Sequence, residues 1–472
     1  MFGRVVQCAQ YFVRSPVHAG FTLGRVCAVI KLTSSTVCKL FSSATPVQQA
    51  PIRNLRRDST IMTSLLLKNA RIVDGTATQP GDPVDIAIED GRFVEVGSGI
   101  KFDAEETLDL KGQIVMPGLI DCHVHVIATT ADLGANAELP NSWIALKSAQ
   151  MMKAMLMRGF TTVRDLGGAD RGLQKAQEDG LIDAPRLVIC GKALSQTGGH
   201  TDYRGPYHSR DVRYYEGKLG SMGRVLDGVD AMRAACREEL KGGAQFIKIM
   251  ADGGVSSPSD PVGYLVFSVD ELKAAVEVAK GFGTYVSGHL YDDRAIVRAL
   301  DCGVECVEHG NLMSDDTIAR IAREGQVVVP TNITYDRLAK TGAEYGLPAD
   351  SVAKIADVRE AGLERLAKMY KAGVTVGYGS DLLGGMQPHQ SGEFPLRGEY
   401  IPADAVIRSA TVDAAKVLRM EGELGVIAPG AHADLIVVDG NPLDDLNLLT
   451  EQGAHMPLIM QGGVAKKKAA GL

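Results

Sequence analysis

The chain has 472 residues, 45% apolar and 23% charged, which suits one large domain of roughly 250–300 residues plus a smaller one. A net charge of −7, with no basic block beyond Lys466-Lys467-Lys468, argues against a nucleic-acid partner, and no apolar run reaches the roughly 18 residues of a membrane span. The eight cysteines (Cys8, Cys27, Cys38, Cys122, Cys190, Cys236, Cys302 and Cys306) form no Cys-x-x-Cys pair, so buried free thiols in a reducing compartment are expected rather than a disulfide framework.

Residues 1–61 carry eight Lys or Arg against one acid, Asp58, and are rich in Ser and Thr. That composition fits a transit peptide with a mitochondrial address, or a disordered extension upstream of a cytoplasmic chain starting at Met62. The remainder holds 42 basic and 56 acidic residues and is markedly acidic.

From Leu65 the pattern is short strands. Val84-Asp85-Ile86-Ala87-Ile88 alternates with period two, and Asp90-Gly91 reads as a hairpin turn into Arg92–Val96. Similar strands return at Ala433–Val438 and from His455 to Val464. Neither end holds enough strands for a stable sheet, so residues 62–116 and 425–472 are expected to pair into one split β-sandwich, with 117–424 inserted between them.

In that insert, strands alternate with helices. Strand-like runs begin at Ile114–His125 and continue at Thr161–Leu166, Arg186–Gly191, Phe246–Met250, Tyr285–His289, Glu305–His309, Val327–Val329 and Val374–Tyr378. Between them, Ser268-x-x-Glu271 is a capping box followed by apolar residues at helical spacing, and Met151–Met157 reads as helix core. Eight strands alternating with helices predict an α/β fold, a parallel (β/α)₈ barrel of the TIM type.

Such barrels place chemistry at the C-terminal ends of the strands. The first strand there ends in His123 and His125, whose i, i+2 spacing puts both imidazoles on one face. Strand four carries Lys248, strand five ends in His289, strand six in His309, and the eighth leads to Asp381. Imidazoles and a carboxylate on one rim are a metal-ligand set. Lys248 lies in an apolar strand, where an ammonium is costly to bury. It either pairs with Asp381 or Glu308, or is capped by CO₂ as a bridging carbamate.

This constellation resembles the amidohydrolase superfamily in its binuclear-metal form, over about residues 63–465 and including the closing segment Gly425–Leu435. The resemblance implies that His123, His125, N6-carboxylated Lys248 and Asp381 hold one divalent ion and that Lys248, His289 and His309 hold a second, with zinc the first expectation. The stretches Ala193–His200 and Ile247–Val255 resemble the branch holding Xaa-Pro dipeptidases, metal-dependent carboxypeptidases and the fungal ochratoxinase.

The implied activity is hydrolysis of a linear amide in a dipeptide or N-acyl amino acid, including ochratoxin-type amides. Two cations would lower the pKa of a bridging water toward ~7, and Asp381 would be the catalytic proton carrier. His200, Tyr203, Arg204 and Tyr264 are the candidate substrate contacts, and a homo-oligomer is expected. The alternatives are hydrolysis of a cyclic amide, lactone or imidazolone on the same fold, and a non-catalytic scaffold, which would be expected to have lost metal ligands.

Overall fold

A computed structural model of the chain describes residues 64–255, 260–341, 344 and 349–472. The expected leader, residues 1–61, lies outside the described residues, as do Met62 and Thr63 at the start of the expected small domain.

The two ends of the described chain meet in one eight-stranded sheet. Its N-terminal members are β1 (Ser64–Ile72), β2 (Val84–Glu89), β3 (Arg92–Gly97), β4 (Glu106–Asp109) and β5 (Ile114–Pro117). The next two strands in the chain are β6 (Leu119–Val124) and β7 (Phe160–Asp165). They belong to a second sheet, completed by β8 (Arg186–Ile189). A third sheet holds β9 (Ala193–Ser195), β10 (Gly223–Val225), β11 (Ile247–Met250), β12 (Val286–Asp292), β13 (Cys306–Leu312), β14 (Val327–Val329) and β15 (Thr375–Val376). The first sheet then closes with β16 (Leu435–Val438), β17 (Leu458–Gln461) and β18 (Val464–Lys468). Its order is β18-β17-β16-β5-β1-β2-β3, with β4 on β1, and β16 lies antiparallel to β5 with Val437 opposite Val115.

The first expected strand, Ile114–His125, is two strands. It breaks at Gly118, and each half joins a different sheet. A Cβ at Gly118 would lie 2.1 Å from the Thr161 hydroxyl, so only glycine lets the chain cross so close to β7.

All eight expected parallel strands are present, in sequential neighbour order and in two hydrogen-bonded sheets rather than one closed one. Backbone bonds tie these sheets at both margins: Gln245 N–H donates to Ile189 O, and Cys122 N–H to Tyr378 O, each at 2.8 Å. The strands β9 and β10 were not anticipated, and β9 pairs with β11 only at Leu194 opposite Ile249. The intervening helices follow the expected pattern. Val269–Gly281 starts at Ser268, whose side chain and Glu271 form the reciprocal capping box.

Burial explains the register. Inward residues such as Ile120, Phe246 and Val329 form one cluster, while Leu119, Ile247, Val286 and Val328 pack in another with the helices. Each such side chain contributes roughly 1.5–3 kcal/mol when fully buried. A one-residue slip would therefore exchange the two apolar sets and turn the histidines away from the rim. No helix among the described residues is long and apolar enough to cross a membrane.

Candidate metal centre

β6 delivers His123 and, one residue past its end, His125. Both rings are buried, and each Nε2 lies 3.3 Å from Asp381 Oδ1. One donor atom from each of the three lies within 4.8 Å of the others, close enough to hold a metal ion. A second pair stands beside them. His309 Nε2 lies 2.9 Å from His289 Nδ1, and the His123 and His309 ring centroids are 5.0 Å apart. β11 aligns with β12 so that Met250 faces His289, which sets Lys248 one step deeper, opposite Ser287. Lys248 is 1% exposed, and its Nζ has no hydrogen-bond partner.

The backbone bends to present these groups. His309 has φ 74° and Asp381 φ 50°, left-handed values that cost a non-glycine residue of order 1–3 kcal/mol. Asp381 is held there by its own N–H, which donates to His123 O at 2.8 Å.

Electrostatics separates the groups. Burial would raise the pKa of Asp381, but His123 and His125 outweigh it and hold the carboxyl well below its usual range. Burial lowers Lys248, and it lowers His289 and His309 well below the ordinary imidazole value. Burial also lowers His123, but Asp381 and Glu308 outweigh it and raise that ring. The result is one anionic carboxylate, two neutral imidazoles with lone pairs to offer, and an amine disfavoured as an ammonium. This donor set suits divalent cations. An unpartnered buried amine is also what a carbamate would require, whereas the alternative ion pair of Lys248 with Asp381 or Glu308 is not formed.

The cluster forms the floor of a cavity of about 1030 Å³. One wall carries Val255, Leu338, Leu383 and Met386 beside Tyr291 and Tyr335. The excursion between β9 and β10 adds His200, Tyr203 and Arg204 to the lining. His200 Nδ1 lies 3.3 Å from the buried Asp260 carboxylate, and its ring centroid is 4.4 Å from that of His289. Gly254 permits this placement, since a Cβ there would fall 1.7 Å from the His200 ring. Arg204 directs two bonds of 2.7 Å at Asp202, so its charge is already matched. The Tyr203 hydroxyl accepts from Met222 N–H. Tyr264 is not brought into the cavity. It is 59% exposed on the loop after β11, where no strand pattern fixes its direction.

Two tyrosines were not anticipated. The Tyr335 hydroxyl lies 2.9 Å from His309 Nδ1 and donates to the Tyr291 hydroxyl at 2.8 Å. Tyr291 had a signal in the sequence, since it follows His289 by two and shares its face. Tyr335, on a helix after β14, had none.

With this geometry in hand, comparison with known proteins assigns the class. Residues 114–464 match the amidohydrolase family, and the chain belongs to it. Within it, the chain is similar to ochratoxinase from Aspergillus niger, with 28% identity over 466 residues, 89% of this chain and 95% of that protein. Among solved structures it resembles a prolidase complexed with N-methylphosphonate-L-proline, at 46% identity and TM-score 0.83, covering 86% of this chain and all of the other. It also resembles a Xaa-Pro dipeptidase with methionine in its active site, at 29% identity and TM-score 0.73, with coverage of 86% and 100%.

Proposed function

We propose that the chain is a binuclear metal-dependent amidohydrolase that cleaves the linear amide of a dipeptide or N-acyl amino acid. The parallel strands would act as one eight-stranded barrel, framed by the split terminal domain of residues 62–116 and 425–472 around 117–424. His123, His125, carboxylated Lys248 and Asp381 would hold one ion, and Lys248, His289 and His309 the other, zinc being the expected metal. The observation that carries this reading is the buried, unpartnered Lys248 Nζ sharing one cavity floor with four histidines and Asp381.

When bound, such ions supply Lewis acidity to the scissile carbonyl and lower the pKa of water. The chain's own groups do the rest. Asp381 is kept ionised and accessible on the cavity side, so its carboxylate takes the proton of the attacking water and delivers it to the leaving nitrogen as the C–N bond breaks. The apolar wall around Leu338 and Met386 takes the apolar part of the acyl group and excludes water. His200, held from behind by Asp260, faces the polar end of the substrate. Arg204 is a poorer partner for a free carboxylate, because Asp202 already neutralises it.

The test is Asp381→Asn. The purified variant should keep measurable metal by elemental analysis while turnover of a panel of dipeptides and N-acyl amino acids is abolished. Near wild-type turnover would overturn the assignment.

A further inference from the structure

Beneath the cavity floor lies a charge cluster that touches neither solvent nor the cavity. Arg164 on β7 and Glu308 on β13 are both fully buried, with Arg164 Nη2 2.5 Å from Glu308 Oε1. The same Oε1 receives the Ser287 hydroxyl at 2.5 Å and the Cys306 thiol at 3.1 Å. Its other oxygen, Oε2, faces one group, His123 Nδ1, at 2.8 Å. Arg164 is fixed in turn: its Nε donates to Cys122 O at 2.7 Å and its guanidinium lies over the Phe246 ring.

We infer that Glu308 is a positioning residue that sets the tautomer of His123. This rests on the reading of His123 as a metal ligand. With three donors on Oε1, the carboxylate is locked in orientation, and Oε2 can only accept. In the metal-bound state the His123 proton is therefore held on Nδ1, which frees Nε2, the nitrogen 3.3 Å from Asp381 Oδ1, for the ion. A neutral imidazole can ligate through only one nitrogen, and the partner of the other nitrogen decides which.

A neutral amide at the same place reverses the polarity. In Glu308→Gln, Arg164 and Ser287 would claim the amide oxygen, and the NH₂ group would face His123 Nδ1. That nitrogen must then accept, the proton moves to Nε2, and the lone pair leaves the metal position. His289 and His309 do not contact Glu308 in this network, so their site should be spared.

The experiment loads the full-length chain with Zn²⁺ and challenges it with a competing chelator, reading zinc retained per chain. The wild type should retain two ions. Glu308→Gln should retain one at chelator concentrations where the wild type keeps both, an affinity loss of about 10- to 100-fold at one site. Because the variant leaves Arg164 without a counter-charge and could fail to fold, a second measurement uses the wild type alone. Histidine-labelled, zinc-loaded protein, with His123→Asn to assign the signal, should show the His123 ring proton on Nδ1 in the ¹⁵N spectrum. Equal retention of both ions by a folded Glu308→Gln, or a wild-type His123 protonated on Nε2, overturns the inference. A wild type that retains no zinc, or a His123→Asn that retains both ions, overturns the metal-centre reading and this inference with it.

Discussion

The Ser380 hydroxyl donates to Asp121 Oδ2 at 2.6 Å, joining the first of the eight parallel strands to the loop that follows the last. Asp121 Oδ1 also receives the N–H of His123 at 3.0 Å and of Ser380 at 3.2 Å, and Gln390 Nε2 donates to Oδ2 at 2.8 Å. One buried carboxylate thus spaces the histidine pair from the loop that bears Asp381. Every neighbour is a donor, so an amide at this position would set NH₂ against N–H. Asp121→Asn is expected to lower activity more than Ser380→Ala, which removes one hydrogen bond and costs about 1–3 kcal/mol of stability. Chemical unfolding and turnover of the two variants, measured together, check the order.

Lys248→Ala removes the amine that the proposed carbamate needs. The variant should lose bound metal and activity, and short carboxylic acids should restore part of both by occupying the vacated space as bridging carboxylates. Full metal occupancy without added acid would count against a bridging carbamate.

Asp252 provides a pH test away from the ligands. Its carboxyl is buried, accepts the N–H groups of Tyr291 and Asp292, and is pushed up to about 8, chiefly by burial. The folded state therefore keeps a proton that the unfolded chain releases near pH 4. Its contribution to stability is complete below that pH and is lost as pH rises through about 8. Asp252→Asn carries no such proton, so its stability relative to the wild type should grow from pH 5 to 8 by up to ~1.4 kcal/mol per pH unit and then level off. Denaturant midpoints of both proteins across that range give the slope and its sign.

Leu338 tests the apolar wall. Leu338→Ala should reduce kcat/KM for N-acyl amino acids with bulky apolar acyl groups by about tenfold, the equivalent of ~1.4 kcal/mol of lost contact, and leave N-formyl and N-acetyl substrates nearly unchanged. Parallel losses on small and large acyl groups would place Leu338 outside the acyl subsite.

Much of this site was legible because period-two patterning and strand-end position locate a residue without tertiary information. His123, His125, His289 and His309 each stood out as a polar end to an apolar run. What patterning could not reach depends on short or aperiodic segments. β9 and β10 have three residues each, too few to show a period, and Arg204 between them was a candidate substrate contact with no visible partner in the pattern. The match of Arg204 to Asp202 is a local side-chain choice that spacing does not encode. Arg164 and Glu308 left a fainter mark. Arg164 stands beside Asp165 at the end of β7 and Glu308 beside His309 in β13, charges of opposite sign on two strands whose side chains are otherwise uncharged or apolar up to that point. At Gly118 the requirement for glycine comes from the approach of Thr161, a tertiary contact that local patterning does not encode.

The joining of β5 to β16 also has a consequence for biosynthesis. β5 emerges from the ribosome early, while β16, its antiparallel partner, lies beyond every strand and helix of the parallel sheets. Until synthesis is nearly finished, that side of β5 is a bare apolar edge, Ile114-Val115-Met116, of the kind that templates pairing with other chains. That edge stays unpaired until β16 is made. Variants truncated before residue 435 should aggregate even if their cavity residues are all intact.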